Sequence, residues 1–483
     1  MNSRSLFIAS CVALITSAFT FVIRGDILPL LGDEFGLSQA DRGWIAGGAF
    51  WGMAASMLVG APLCDFLGMK RILMLAFACH MIGVAGTIFA PAGNAAFTVL
   101  FASTFLAGCG NGLVEIAINP LAATLYPTQK THYLNILHAW WPGGLVLGGL
   151  LARWIGEGIS FGPDWASISG LGFGWKARMA LIVVPGVIYI LLVLPQRFPP
   201  TERVSSGVST NDMFSQVFRP LFLLWAFCML LTAATELGPQ QWQESVMMRT
   251  TGGKVSGTLI LVYTSSMMFV LRHFAGTLAH KFSPIGLLAG SSALAGIGLY
   301  LLSTANSPAT AFGFATIFGL GIAYFWPTML GVTAERFPKG GAFLLGLMGC
   351  VGNLAIALVL PFMGYTYDKF SASAVPEPLT SSVLAQEDPG WALSLFGIES
   401  VPKINAKAVV TLPEADQESV KAAEATGAAM AFRQVSMLPI ALVIIFGSIA
   451  LYDKARGGYK PELLMSRQEE NELYAGGVQA AVE

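Results

Sequence analysis

Apolar residues run along this chain in blocks too long for any soluble element. Residues 72–114 contain no Asp, Glu, Lys or Arg, and neither do residues 282–334. A helix needs about 20 apolar residues to cross a bilayer, so each block predicts two spans. The first pair splits at Pro91-Ala92-Gly93-Asn94 and the second at Asn306-Ser307-Pro308. Further windows start near Gly43, Tyr133, Met179, Pro220, Val255, Gly341 and Gln434, and a first run extends from about Leu6 to Leu31. The pattern therefore predicts an all-α membrane protein with about twelve transmembrane helices. Within lipid each span must satisfy its own backbone, and the runs are too long and continuous for barrel strands. The first run carries Arg24 and Asp26 and no clean small-x-small cleavage site follows it, so it reads as a retained helix rather than a signal peptide.

The polar stretches divide this pattern. A Ser-rich connection at 197–218 separates a six-helix bundle at 1–196 from a second one at 219–452. A long acidic loop, about 365–431, interrupts the second bundle before its last span, and a polar tail covers 453–483. Within the loop, Trp391 to Ile398 is too short to span and suggests a lid or some tertiary structure. Twelve spans put both termini on one side. Lys70, Arg71, Lys130, Arg197, Arg203, Arg219, Arg272, Lys281, Arg336, Lys339, Lys454 and Arg456 fall in one set of loops and ends, against Arg42, Lys176 and Lys254 in the other. The bias places the termini in the cytoplasm. Absence of a permitted Asn-x-Ser/Thr sequon agrees with a bacterial inner membrane.

Composition removes several classes. The chain is 54% hydrophobic and 11% charged, with a net charge of −1, so no basic field suits nucleic acid. Cys11, Cys64, Cys79, Cys109, Cys228 and Cys350 lie in or beside apolar segments with no CxxC spacing, as packing residues do. No GxxxxGK[ST] motif, nucleophile–base set or metal-ligand spacing is present, so no cofactor or enzymatic activity is expected and an ion or solute gradient must drive any transport.

Asp65-x-x-Gly68 with Lys70 and Arg71 resembles the loop 2–3 signature of the major facilitator superfamily, with Ala61 where Gly is usual and Phe66 where a base is usual. Gly25-Asp26-Ile27-Leu28, Glu115-Ile116-Ala117-Ile118-Asn119-Pro120 and Leu134-Asn135-x-x-His138 are similar to its fucose permease branch, the fucose:proton symporters. So is Arg272-x-x-x-Gly276-Thr277-x-x-x-x-Lys281-Phe282-Ser283-Pro284. The resemblance implies two pseudo-symmetric bundles of six helices around a midplane site. It gives sugar recognition and proton coupling to Asp26 and Glu115. That branch carries amides near the positions of His138 and Trp141, which bears on the identity of the solute.

Ionisable groups inside spans default to function. Asn111, Glu115 and Asn119 sit at i, i+4 and i+8 on one face of helix 4, flanked by Gly108 and Gly112. Glu115 is then a protonatable cavity carboxylate, or a group satisfied by a neighbouring helix. Asp26 either recognises substrate or reaches water near the outer end of helix 1. Arg24 could pair with an acid of another helix or bind substrate. Helix 5 offers Asn135, His138 and Trp141 before Pro142. In helix 7 a Gly238-Pro239 break is expected between Glu236 and the group Gln240, Gln241 and Trp242, exposing amides and an indole that suit a sugar. Trp326 and Asn353 are weaker candidates of the same type.

These features predict proton-coupled symport of a monosaccharide or similar small polar solute by a monomer. Sodium coupling is a close variant, and exchange of a small organic anion using Arg24 is the alternative. A sensor or a membrane enzyme is a third class. A symmetrical anion site would call for a second cation on helix 7, where Glu236 stands instead.

Overall fold

The computed structural model describes residues 2–37, 39–160, 167–386 and 401–464. Trp391 to Ile398 and the end of the tail lie outside the described residues.

Twelve helical spans are present among the described residues. The first six are α1 (Ser3–Phe35), α2 (Gln39–Leu67), α3 (Met69–Ile88), α4 (Ala96–Leu125), α5 (Lys130–Ile155) and α6 (Trp175–Val193). The second six are α7 (Pro220–Thr250), α8 (Gly257–Arg272 continued by Ala275–Phe282), α9 (Pro284–Leu302), α10 (Pro308–Ile322 continued by Phe325–Arg336), α11 (Gly341–Ala374) and α12 (Glu414–Val435 continued by Leu438–Ala455). Among the described residues eleven stretches are long and apolar enough to cross a bilayer by themselves. The twelfth, Gly257–Arg272, spans only by continuing past His273 and Phe274.

Local chemistry sets the helix ends. The Asn2 side chain accepts from Ser5 N at the start of α1, and Gly36 closes the helix at φ 64°. Gly68, at φ 81°, allows the one-residue turn between α2 and α3. Gly108 and Gly112 let α4 lie directly on α2: a Cβ at either position would run into the backbone of Ala49 or Met53.

Two sequence expectations are corrected. Helix 7 does not stop at Gly238-Pro239: α7 runs through Pro239 to Thr250. The 365–431 loop is shorter than its polar composition suggested. α11 continues to Ala374 and α12 begins at Glu414, both reaching beyond the apolar windows on helix-forming polar residues. Between them Leu384–Gln386 pairs with Pro402–Ile404, and Val375, Val383, Val420 and Ala423 form a small core.

The 197–218 connection is folded against both bundles, with the Arg203 side chain packed on Gly341 of the second. Thr201 Oγ1 and Arg203 Nε donate to Asp65, each at 2.6 Å, and Glu202 accepts from Lys130 Nζ at 2.6 Å. Four further contacts join the bundles near this linker. Thr131 N donates to Glu335 Oε1 (3.0 Å), Lys130 Nζ to the Ala334 carbonyl (3.2 Å) and Asn135 Nδ2 to Thr328 Oγ1 (3.2 Å), and Gly331 packs on Thr131. The protein is closed at its linker face.

Candidate functional site

Directly behind that closure lies a cavity of about 780 Å3, part of it open to solvent. Asn135 and Thr131 seal α5 on the linker side. His138 and Trp141, one and two turns farther along α5, line the space, which therefore opens toward the face opposite the linker. Both bundles contribute to its walls. Phe21, Phe50, Asn111, Glu115, His138 and Trp141 come from the first, and Glu236, Gln240, Gln241, Arg272, Trp326 and Asn353 from the second.

Arg272 is the centre of this site. The sequence pattern assigned it to a loop, but it is only 2% exposed, at the end of the first segment of α8. Its Nε donates to the Ala323 carbonyl at 2.6 Å, Nη1 to the His138 carbonyl at 2.8 Å and Nη2 to Glu236 Oε1 at 3.2 Å. Both carbonyls are available for a local reason. The residue that would normally donate to Ala323 is Pro327, and the one that would donate to His138 is Pro142. Proline has no N–H, so each leaves the carbonyl four residues earlier without its helical partner. Arg272 takes both. The signal was in the sequence as Trp326-Pro327 and Trp141-Pro142, but nothing local says that one distant guanidinium fills both gaps.

Glu115 sits across the cavity on α4. Its Oε2 accepts from Asn119 Nδ2 at 2.7 Å and lies 3.6 Å from His138 Nε2. His138 Nε2 is 2.9 Å from Asn119 Oδ1, which makes the ring nitrogen the donor. Glu115 has no arginine or lysine partner among the described residues. Glu236 has one oxygen on Arg272, while its buried Oε2 has no hydrogen-bond partner among the described residues.

Nine of the thirteen residues singled out from the sequence line this cavity: Asn111, Glu115, His138, Trp141, Glu236, Gln240, Gln241, Trp326 and Asn353. Three do not, and a fourth lies well away from it. Asn119 stands one turn behind Glu115 and holds both it and His138. Asn135 is part of the linker-side closure. Trp242 turns from the cavity to pack on Tyr367, with ring centroids 5.9 Å apart. Asp26, the fourth, is paired with Arg178 at 3.0 Å and Arg153 at 3.6 Å within the first bundle, so its charge is already matched. Nor does Arg24 enter the cavity. It donates to Thr104 and lies 3.4 Å from the Gly83 and Ser103 carbonyls. Phe21 and Phe50, whose rings meet edge-on at 5.8 Å, were missed because apolar residues in a span carry no positional signal.

Residues 6–360 match the Major Facilitator Superfamily. The chain belongs to that family. Its members with known structure include the proton:xylose symporter XylE, which superposes with a TM-score of 0.67 at 13% identity over 92% of this chain and 95% of that one. The E. coli fucose:proton symporter FucP superposes with a TM-score of 0.61 at 16% identity over 92% and 98%. These likenesses concern the fold. By sequence, this member of the superfamily is 26% identical to the cis,cis-muconate transport protein of Acinetobacter baylyi over 409 residues, which is 77% of this chain and 92% of that one. It is 23% identical to the gentisate transporter of Corynebacterium glutamicum over 77% of this chain and 85% of that one. It is 25% identical to the 4-hydroxybenzoate transporter of A. baylyi over 70% and 80%. The fold and family are those of multi-pass membrane transporters, not enzymes.

Proposed function

We infer that the protein is a secondary transporter of a small aromatic or unsaturated carboxylate, taken up together with a proton. One observation carries this reading: a buried guanidinium in the cavity wall still has donors to spare. An arginine offers five N–H donors in a planar fork suited to a carboxylate. Three are engaged by Ala323, His138 and Glu236. Two have no partner among the described residues, and the aromatic walls formed by Phe21, Phe50, Trp141 and Trp326 suit a planar body. The relatives named for muconate, gentisate and 4-hydroxybenzoate support the same class. The sugar expected from the sequence has no such support, because the xylose and fucose symporters are similar in fold alone.

Charge balance assigns the proton. The cavity holds Glu115, Glu236 and Arg272, so a bound carboxylate adds a third negative charge against one positive. Glu236 keeps its partner. Glu115, which has only Asn119 and His138, takes up the proton when substrate binds and gives it up after the bundles rock to open the linker face. The coupling ion is a proton rather than sodium in this reading. The linker face is cytoplasmic, and the protein works as a monomer in the inner membrane.

The test is transport by the protein reconstituted in liposomes. Wild type should concentrate radiolabelled 4-hydroxybenzoate or cis,cis-muconate under an inward proton gradient, and not glucose or fucose. Glu115→Gln fixes the neutral state. It should retain counterflow exchange and lose accumulation. Accumulation by Glu115→Gln, or uptake that follows sodium and ignores pH, would overturn the proton assignment. Uptake of sugars without carboxylates would overturn the substrate class.

A further inference from the structure

Asn111 lines the cavity from α4, and its carboxamide is held from behind. Its Oδ1 lies 2.9 Å from His80 Nε2 on α3 and 3.0 Å from Thr20 Oγ1 on α1. Both partners are buried. His80 decides which way the amide points. Its Nδ1 is buried and has no hydrogen-bond partner among the described residues. A proton on Nδ1 would be an orphaned buried donor, which folded proteins almost never keep, whereas a bare ring lone pair is cheaper. The proton therefore sits on Nε2 and points at Asn111, so the atom facing His80 must be the oxygen. Thr20 fits the same orientation, its single hydroxyl proton lying between the Ser17 carbonyl at 2.7 Å and Oδ1 at 3.0 Å. The Asn111 NH2 group is left facing the cavity with no hydrogen bond to any described residue.

We propose that His80, backed by Thr20, locks Asn111 as a dedicated donor, and that this donor selects carboxylates with a second hydrogen-bond acceptor remote from the group held by Arg272. Arg272 stands on α8 of one bundle and Asn111 on α4 of the other. A rigid substrate with acceptors at both ends therefore bridges the bundles, and a carboxylate with one acceptor does not. His80 touches no cavity space itself and is a positioning residue. The inference rests on the reading of the substrate as a carboxylate.

Binding to the purified full-length protein separates the two claims. The probes are benzoate, which has no remote acceptor, and 4-methoxybenzoate, whose ether oxygen accepts but has no proton to donate. Quenching of the intrinsic fluorescence of Trp141 and Trp326 reports occupancy. Wild type should prefer 4-methoxybenzoate by about 2- to 13-fold, the range of one neutral hydrogen bond. His80→Leu frees the amide to turn and should bring the ratio close to one. His80→Gln can present an N–H to Oδ1 and should restore it. Asn111→Leu should abolish the preference. A merely structural role for His80 would change both affinities together and would not be rescued by glutamine. Should His80→Leu misfold, the Asn111→Leu ratio still decides. A wild-type ratio near one, or a preference that survives in Asn111→Leu, overturns the inference while leaving the carboxylate reading standing. Failure of wild type to bind either probe removes that reading and the inference with it.

Discussion

Arg272 donates to the main-chain carbonyl of His138 at 2.8 Å, and that carbonyl is free because residue 142 is proline. The contact crosses from α8 to α5, from one bundle to the other. It must break when the protein opens at its linker face. The companion contact to Ala323, freed by Pro327, stays within the second bundle and travels with it. One side chain therefore reports on the substrate site, on the Glu236 charge and on the closure at once.

Pro142→Ala should weaken that closure. The new N–H competes with Arg272 for the His138 carbonyl, while the helix itself gains from losing an interior proline, by up to about 3 kcal/mol. Spin labels at Leu67 and Lys339, on opposite bundles at the linker face, should show a longer-distance component in the variant. An unchanged distance distribution would mean that the carbonyl does not help hold the closed state.

Arg272→Met alone should be strongly destabilising, by about 3–5 kcal/mol, because it leaves the Glu236 carboxylate buried without a cation. Arg272→Met with Glu236→Gln should recover most of the thermal stability in detergent, since no isolated charge remains. The double variant should still fail to bind 4-hydroxybenzoate. Recovery of binding along with stability would show that the guanidinium serves only to neutralise Glu236.

These two residues mark what the sequence could and could not reveal. The spans were legible because a bilayer tolerates no unpaired backbone and few charges, so every charge-free window had to be a helix. Glu115 and its neighbours stood out for the same reason. Arg272 did not, because it closes a 16-residue apolar segment, where a cation normally marks the membrane edge. It lies deep because α8 continues for eight residues beyond a turn at His273 and Phe274. Asp26 failed in the opposite way. The resemblance gave it to substrate and proton, and nothing nearby in the chain marked it as paired, because its partners, Arg153 and Arg178, lie more than a hundred residues away in sequence. Charge pairing between helices is a tertiary fact, and spacing along one helix cannot disclose it.

Sidedness follows from the cation bias and has its own test. A cysteine introduced at Ser205, in the linker, should react with an impermeant maleimide only after the cells are opened. One at Val410, on the opposite face and highly exposed, should react in intact cells. Labelling of both from one side would refute the odd number of spans, α7 to α11, between them.

The tail adds a last hold on the closed state. Glu335, at the end of α10, receives Thr131 N at the start of α5 on one oxygen and the Tyr459 hydroxyl, at 2.6 Å, on the other. The first contact sets a carboxylate at a helix N-terminus, where the helix dipole favours it. The second keeps that carboxylate aimed, and Arg336 lies over the Tyr459 ring at 4.8 Å. Burial, and then the neighbouring Glu335 charge, push the Tyr459 phenol well above its usual value. An acid whose folded pKa is raised stabilises the fold fully below its unfolded pKa, near 10 for tyrosine, and loses that contribution only as pH rises through the folded value. The latch should therefore be insensitive to pH between 6 and 9 and should loosen above about 10. Tyr459→Phe removes a hydrogen bond to a charged acceptor, worth about 1.5–3 kcal/mol. At pH 7 it should shift the Leu67–Lys339 spin-label distances toward the linker-open form, as wild type does only in strong alkali. A wild-type protein whose closed population changes between pH 6 and 9 while that of Tyr459→Phe does not would place the titrating group at Tyr459 but contradict the direction of its shift.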